Sequence, residues 1–450
     1  MDRRRFMTAL GLAALAPAAA RAEVAPPAMR GSIDAAAEGV VAGAMLDTSR
    51  SFQNLLNQAA RENRPVFLNG GRYLVSNLVL PPRTRISGVP GATILMFAGD
   101  GHMISAENAE SIALEGLVID GNDQAIADYV GGLVHLAGCA NVAIDDCIIR
   151  GSTRSGLSLE RCGGRVTRSA FTGAHEAGIA AIESSGLSLT DNTVADCGNA
   201  GIRVWRWNPG DDGTLVTGNR IERIGAADGG TGENGNGVNV FRAGGVIVSN
   251  NRISDCAFTA VRANSADNVQ ITGNNCRNLG EIGLYAEFSF SGAVIANNIV
   301  DGAASGISIA NFKEGGRMAT VSGNVVRNLT GKAPYPTERP SFGVGIAVEA
   351  DVAATGNVID GAPRFGMMLG WGPYLRDVAA TGNVVRGAPI GIAVSIVEGS
   401  GSAVISDNLI SGATAGAVIG MRWDDAASGD LARAGAETFP HLTVERNRIG

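Results

Sequence analysis

The sequence predicts an all-β solenoid in which short parallel strands stack coil upon coil. Three observations point to this fold class. Val and Ile recur in short runs bounded by Gly and Asn, a pattern typical of many short strands separated by turns. After residue 130, an alternating apolar strand and an Asn-containing turn return at regular intervals. Charged residues make up only 18% of the 450 residues, while glycine contributes 63, and this composition favours strands and turns over long helices.

Each repeat contains two apolar segments followed by an asparagine turn. The first segment alternates inward and outward residues, as in "GLSLE", "GIRVWRW", "GVNVFR" and "GISIANF"; the second leads into the turn, as in "VTGNRI" and "VSGNVV". The turn asparagines are Asn192, Asn219, Asn251, Asn274, Asn298, Asn324, Asn357, Asn383 and Asn408. Their spacing runs from 23 to 33 residues, so the basic unit has 23 residues and the longer repeats carry insertions.

A unit of this length is too small to bury its own apolar face, so several copies must stack to form a continuous core. Strands of neighbouring coils would then pair in parallel about 4.8 Å apart, and the turn asparagines would hydrogen-bond along the axis as a ladder. Leucine-rich repeats are the main alternative, but these units have neither the leucine pattern nor a helical half. The repeat therefore predicts a single-stranded right-handed parallel β-helix of about a dozen coils.

The segment from residue 51 onward supports this prediction. It reads as an amphipathic helix, "SFQNLLNQAAREN", then "VFLNGGRYLVS", then a "GVPGATI" turn. In this opening, and in its repeats, the chain resembles the pectate-lyase-like superfamily over residues 45–450. The resemblance implies a helical N-terminal cap that covers the open end of the stack, whose strand edges would otherwise invite aggregation. It implies no particular chemistry, because this scaffold carries many.

The N-terminus is predicted to be an export signal. Residues 1–22 combine "RRRFM", an apolar stretch from Phe6 to Leu15, and Ala20-Arg21-Ala22 before Glu23, which is the order of a cleavable signal. With this twin-arginine pattern, the chain more closely resembles a group of twin-arginine-translocated bacterial repeat proteins with no assigned activity. We therefore expect a signal peptide at 1–22, a linker at 23–44 and a β-helix domain at 45–450. The protein would then be periplasmic or secreted by the twin-arginine route, without a membrane span and as a monomer.

Charge and cysteine content narrow the possible partners. The net charge is −7, which argues against nucleic-acid binding. The six cysteines contain no CxxC pair and no histidine cluster accompanies them, so no metal site is predicted. Calcium at the "GDDG" turn of Asp211 and Asp212 is a weak alternative. Cys139 and Cys162 occupy equivalent repeat positions where a disulfide could form, but we expect free thiols.

Outward-facing positions of the first strands identify the candidate site. Large polar and aromatic residues concentrate in four consecutive coils, and small or apolar residues dominate elsewhere. Insertions such as "NPGDDGT" and "AADGGTGENGNG" border the same coils, as functional loops in repeat proteins often do. The predicted substrate-binding residues are Arg203, Trp205, Arg206, Asn239, Phe241, Arg242 and Asn264, and the predicted catalytic residues are Arg262, Tyr285 and Glu287.

An arginine-lined, aromatic-floored groove suits an acidic, uronate-containing polysaccharide, because guanidinium groups pair bidentately with carboxylates. Arg262 and Tyr285 could serve β-elimination or epimerisation, in which a base removes the proton next to the carboxylate. Glu287 is the best candidate for glycoside hydrolysis, although its column neighbours supply no second carboxyl. A non-catalytic surface or envelope carbohydrate-binding protein is the alternative. The arginines could also simply pair with Glu160, Glu183 and Glu287.

Overall fold

A computed structural model describes residues 31–43, 47–230, 232–337 and 340–450. The predicted signal at 1–22 and the first part of the predicted linker lie outside the described residues. The chain forms three long sheets of 15, 16 and 15 strands that wind around one apolar core. Every strand pairing is parallel except the last pairing of sheet 1. The predicted right-handed parallel β-helix is confirmed.

Sheet 1 contains the first strand of each repeat. Its strands, in spatial order, are Leu78–Val79, Ile104–Glu107, Gly132–Ala137, Ser155–Glu160, Ala177–Ile182, Ala200–Asp211, Asn236–Gly244, Val261–Asn264, Ile282–Glu287, Ser305–Ile309, Val344–Val348, Phe365–Leu369, Ile390–Ser395, Gly416–Arg422 and Asp425–Asp430.

Sheet 2 follows sheet 1 in each coil and sheet 3 closes the coil. Sheet 2 consists of Ile33–Asp34, Val66–Phe67, Thr84–Ser87, Ser111–Glu115, Asn141–Asp145, Gly164–Thr167, Ser188–Thr190, Leu215–Thr217, Ile247–Ser249, Val269–Thr272, Ser291–Ala296, Arg317–Ser322, Ala350–Thr355, Arg376–Thr381, Ala403–Ser406 and Leu442–Glu445. Sheet 3 consists of Gly71–Val75, Thr93–Phe97, Val118–Asp120, Ile148–Arg150, Ala170–Thr172, Thr193–Cys197, Arg220–Ile224, Arg252–Cys256, Asn275–Leu279, Ile299–Asp301, Val325–Arg327, Val358–Asp360, Val384–Arg386, Leu409–Ser411 and Arg448–Ile449.

The coil number exceeds the predicted dozen, because the less regular segment before residue 130 also forms coils. Ile33–Asp34 pairs with Val66–Phe67, so sheet 2 begins before the predicted domain boundary at residue 45. Short 3₁₀ turns lie at Phe312–Glu314 and Ala436–Thr438. Among the described residues, no helix is long and apolar enough to cross a membrane.

A helix at Ser49–Glu62 caps the N-terminal end of the stack. Its buried residues are Phe52, Leu55, Leu56 and Ala59, the spacing of one apolar helix face. The Gln53 side-chain amide donates to the Val79 carbonyl and accepts from the Val79 N–H at 2.8 and 2.9 Å. It therefore satisfies backbone groups of the first strand of sheet 1, which would otherwise be an open edge.

The turn asparagines form the predicted ladder. Each side chain from Asn192 to Asn408 donates to the side-chain oxygen of the next asparagine at 2.9 to 3.1 Å. The ladder also reaches Asn447, one coil further than the sequence pattern shows. All of the ladder asparagines from Asn192 to Asn408 are buried, so their amides replace water as partners for the backbone at every turn.

All six cysteines are buried and unbridged. The expected free thiols are found, and the Sγ atoms of Cys139 and Cys162 donate to backbone carbonyls of Ala137 and Leu136 at 3.6 and 3.3 Å. The interaction between the two neighbouring thiols lowers the pKa of Cys139 to about 7 and, together with burial, raises the pKa of Cys162.

Candidate functional site

The outer face of sheet 1 aligns the predicted site residues in two columns. Arg203, Asn239, Arg262 and Tyr285 are register partners in four successive strands. Trp205, Phe241, Asn264 and Glu287 are partners in the same four strands. The columns follow from strand alternation, since every second side chain points to the same face.

An aromatic cavity of about 410 Å³ lies at the upstream end of these columns. We call it the tryptophan pocket; it is lined by Trp205, Trp207, Gly230, Gly232, Glu233, Asn239, Phe241 and Asn264. Trp205 and Phe241 meet edge to face with ring centres 6.2 Å apart, and Trp207 is 56% exposed. Trp207 is not among the predicted site residues. The strand from Ala200 continues through it to Asp211, where a loop was expected.

Residues 225–230 and 232–235, which belong to one of the insertions, form one wall of this pocket. The Asn239 amide donates to the Gly232 carbonyl at 2.7 Å, and its oxygen accepts the Trp205 indole N–H at 3.1 Å. Arg203 donates to the Asn234 side chain at 3.0 Å. Asn239 is only 2% exposed, so its role in this structure is to hold the wall and the Trp205 ring in position.

Two of the predicted arginines remain without a carboxylate partner. The Arg203 guanidinium stacks over the Trp205 ring at 4.8 Å, and the Arg242 guanidinium stacks over the Phe241 ring at 4.7 Å. Within the described part of the chain, no carboxylate lies within 4 Å of either guanidinium. Arg203 Nε is buried without a hydrogen-bond partner, and burial lowers the pKa of this side chain. Each of these two cations therefore stacks on an aromatic ring of the tryptophan pocket, beside the residues that line it.

The other two predicted arginines are neutralised by carboxylates. Arg206 pairs with Glu183 at 3.3 Å and donates to the Ser184 carbonyl at 3.2 Å. Arg262 was expected to be an exposed cation, but it is only 6% exposed. The alternative, in which arginines pair with Glu183 and Glu287, is therefore correct for these two residues.

Arg262 lies between two buried glutamates. Its Nε and Nη2 donate to Glu287 at 2.6 and 2.9 Å, and its Nη1 donates to Glu281 at 3.1 Å. Burial alone would lower the pKa of Arg262, but the hydrogen bonds to Glu287 and the charges of both glutamates outweigh it and raise the pKa. Arg262 is thus held in its protonated form and is poorly suited to act as a base.

The remaining predicted catalytic residues are equally constrained. Glu287 accepts Arg262 on both oxygens and Asn264 on one, at 2.9 Å. Tyr285 packs against Arg262 at 4.9 Å; burial, and then the charge of Glu287, raises the pKa of its hydroxyl. The side chains are close together as predicted, but they form a closed ion-pair network.

Sequence reasoning missed two members of this network, Glu281 and Tyr335. The Tyr335 hydroxyl donates to Glu281 at 2.7 Å, and both residues line a cavity of about 270 Å³ together with Arg262 and Tyr285. Glu281 lies just before its strand and Tyr335 lies in a long insertion, so neither belongs to a repeat column. The repeat pattern therefore does not indicate that Glu281 and Tyr335 lie close together.

The weak calcium alternative gains no support from the acidic turn. Asp212 is 4% exposed and accepts the backbone N–H of Thr214 at 3.1 Å, as in a side-chain-stabilised turn. Burial raises the pKa of Asp212. Across the described residues, no three His, Cys, Asp or Glu side chains form a group that could hold a metal ion.

The family model described as "Right handed beta helix region" matches residues 102–232, 166–326 and 207–385, which together span more than half of the chain. The chain belongs to this right-handed β-helix family. No curated protein sequence matches this β-helix protein significantly.

Solved structures similar to this β-helix protein share its fold at low sequence identity. The N-terminal fragment of gene product 12 from bacteriophage phi29 is 17% identical, with a TM-score of 0.56; the match covers 87% of this chain and 69% of that one. The pre-mature form of the same phage protein is 15% identical, with a TM-score of 0.55; the match covers 86% of this chain and 54% of that one. PfbA, a surface adhesin of Streptococcus pneumoniae, is 14% identical over 88% of this chain and 94% of its own, with a TM-score of 0.48. At these identities, the similarity shows the fold alone.

Proposed function

We propose that this β-helix protein binds an acidic, uronate-containing polysaccharide in the tryptophan pocket. The observation that carries the proposal is the pair of cations stacked on the aromatic rings of the pocket, Arg203 on Trp205 and Arg242 on Phe241. In the described structure neither has a carboxylate within ion-pair distance. A uronate supplies the missing anion, and its ring offers apolar faces to Trp205 and Trp207.

The pocket is preformed, which favours binding. Arg242 donates to the Trp207 carbonyl at 2.5 Å, and Asn239 holds both Trp205 and the wall formed by residues 225–230 and 232–235. Because these side chains are already fixed, little conformational entropy is lost when a ligand binds. Each charge-assisted hydrogen bond to a uronate should contribute about 1.5–3 kcal/mol.

Binding in the tryptophan pocket is better supported than catalysis by Arg262, Tyr285 or Glu287. β-Elimination and epimerisation need a base near the uronate, whereas Arg262 is held protonated and the pKa of Tyr285 is raised. Hydrolysis at Glu287 needs a carboxyl free to exchange a proton, whereas Arg262 and Asn264 occupy its oxygens. We therefore propose a carbohydrate-binding role for this end of the sheet, in an exported, monomeric protein.

Calorimetric titration with alginate and pectate oligomers tests the proposal, with neutral dextran as the comparison. Trp205→Ala should weaken binding at every salt concentration, because stacking is not screened. Arg242→Ala should weaken it mainly at low salt, because the exposed part of an ionic contact is screened. Arg252→Ala is the matched control, since Arg252 is an exposed arginine on sheet 3. Equal binding of uronate oligomers by wild type and a Trp205→Ala/Arg242→Ala double variant would refute the proposal.

A further inference from the structure

A second aromatic cavity lies further along the same face of sheet 1. It has a volume of about 230 Å³, and its lining includes Glu349, Arg364, Met368, Trp371, Trp423 and Asp424. We call it the Glu349 pocket. It adjoins the cavity of Arg262 and Tyr335, because Val344 and Met368 line both. Two neighbouring sugar rings of one polysaccharide could thus occupy these two adjoining cavities.

Two tryptophans and a glycine shape this pocket. The rings of Trp371 and Trp423 meet edge to face with centres 4.5 Å apart. A Cβ on Gly372 would lie 2.4 Å from the Trp423 ring, so only glycine lets that ring lie so close to the backbone. Trp423 itself has a φ of 58°, a left-handed conformation that bulky residues adopt only where their surroundings hold them. An indole held in this way at the rim of a cavity provides a flat surface for a sugar ring.

Two carboxyl groups from different elements line the pocket. Glu349 immediately follows Val344–Val348, and Asp424 lies between Gly416–Arg422 and Asp425–Asp430. Their environments differ: Arg364 pairs with Asp424 at 3.4 Å, whereas Glu349 has no ion pair within the described residues. Burial raises the pKa of Glu349 to about 7. A buried, unpaired carboxyl and an arginine-paired carboxyl thus line the same cavity, which is the kind of residue pair that acid–base catalysis uses.

One hydrogen bond orients the Glu349 carboxyl. Its Oε2 accepts the backbone N–H of Phe312 at 2.6 Å. The backbone at the start of the 3₁₀ turn Phe312–Glu314 therefore anchors one oxygen of the carboxyl, so Oε1 is the proposed proton donor.

We propose that the Glu349 pocket hydrolyses a glycosidic bond, with Glu349 as the general acid and Asp424 as the general base. Glu349 gives its Oε1 proton to the bridging oxygen as the bond from that oxygen to the anomeric carbon breaks, and the electron pair stays on the oxygen. A water adds to the anomeric carbon and its proton passes to Asp424. The reaction consumes one water, produces two hydroxyl groups, and ends when solvent exchange restores both carboxyls.

This inference goes beyond the proposed function and rests on it only in requiring a polysaccharide ligand. The test incubates wild type, Glu349→Gln, Asp424→Asn and Trp205→Ala with alginate, pectate, hyaluronan, xylan and dextran at pH 5.5 and counts new reducing ends. Wild type should release reducing ends from at least one polymer. Glu349→Gln and Asp424→Asn should each be about 10²–10⁴-fold slower, the usual contribution of a general acid or base. Thermal unfolding midpoints check that each variant is folded.

Two controls separate the inference from the proposed function. Glu110→Gln changes an exposed glutamate far from the pocket and should cleave like wild type. Trp205→Ala should need more uronate polymer to reach half of its own maximal rate, since it weakens binding in the tryptophan pocket. Absence of new reducing ends from all five polymers, or full activity in Glu349→Gln, overturns the inference. Binding without cleavage would leave the proposed function standing, whereas cleavage of xylan or dextran without uronate binding would support the inference alone.

Discussion

Glu349 should make the stability of the β-helix depend on pH. Its pKa is raised from 4.5 to about 7 in the folded protein, because burial disfavours the charged carboxylate. The folded state then binds the proton more tightly than the unfolded chain does. The contribution of Glu349 to stability is therefore greatest below pH 4.5, falls as the pH rises from 4.5 to 7, and levels off above pH 7. Glu349→Gln replaces the carboxyl by a neutral amide of similar size and should remove this fall.

The expected magnitude follows from the two pKa values. A difference of about 2.5 at 1.36 kcal/mol per pKa unit corresponds to about 3 kcal/mol between pH 4.5 and pH 8. The nearby ionisable groups are Tyr285, whose pKa the charge of Glu349 helps to raise, and Arg364 and Asp424, which line the same cavity. They are present in both proteins, so their titration largely cancels when the variant is compared with wild type.

Urea unfolding followed by circular dichroism at pH 4.5, 6 and 8 measures this difference. The free energy of unfolding of Glu349→Gln, minus that of wild type, should increase from pH 4.5 to about pH 7. Above pH 7 this difference should stay constant. The Glu110→Gln control should follow wild type throughout, because Glu110 is 72% exposed in its side chain. A variant whose stability differs from wild type by the same amount at all three pH values would show that Glu349 is not protonated by burial.

Three further predictions concern the scaffold and the pockets. Asn298→Ala removes four side-chain hydrogen bonds in the ladder and should cost roughly 4 kcal/mol in urea unfolding; a loss below about 1 kcal/mol would contradict the role given to the ladder. Glu287→Ala takes the bidentate partner from Arg262 but leaves its bond to Glu281, so it should cost about 1–3 kcal/mol by the same measurement; an unchanged midpoint would indicate that the network is not closed to water. Gly372→Ala should push the Trp423 ring out of its place and shift tryptophan emission to longer wavelength; an unchanged spectrum would argue against the close packing.

The repeat pattern was sufficient to predict much of the site's arrangement. Strand alternation placed Arg203 beside Asn239 and Trp205 beside Phe241, and the registers are those of the repeat alignment. What the pattern could not predict was the partner of each charge. Arg262 is outward in register, yet it is buried because Glu281 and the insertion containing Tyr335 close over it.

The β-helix, its asparagine ladder and the face that carries the large polar side chains could all be predicted from the amino-acid sequence. These features follow from a short period and from strand alternation, which act between residues one coil apart and are the same in every repeat. The sequence did not reveal which arginines are neutralised or where the cavities lie. Both depend on the paths of insertions, such as the one that brings Gly232 to Asn239, and on contacts between distant segments, such as Glu349 with Phe312 and Gly372 with Trp423. Such contacts do not recur from coil to coil, so the repeat pattern cannot predict them.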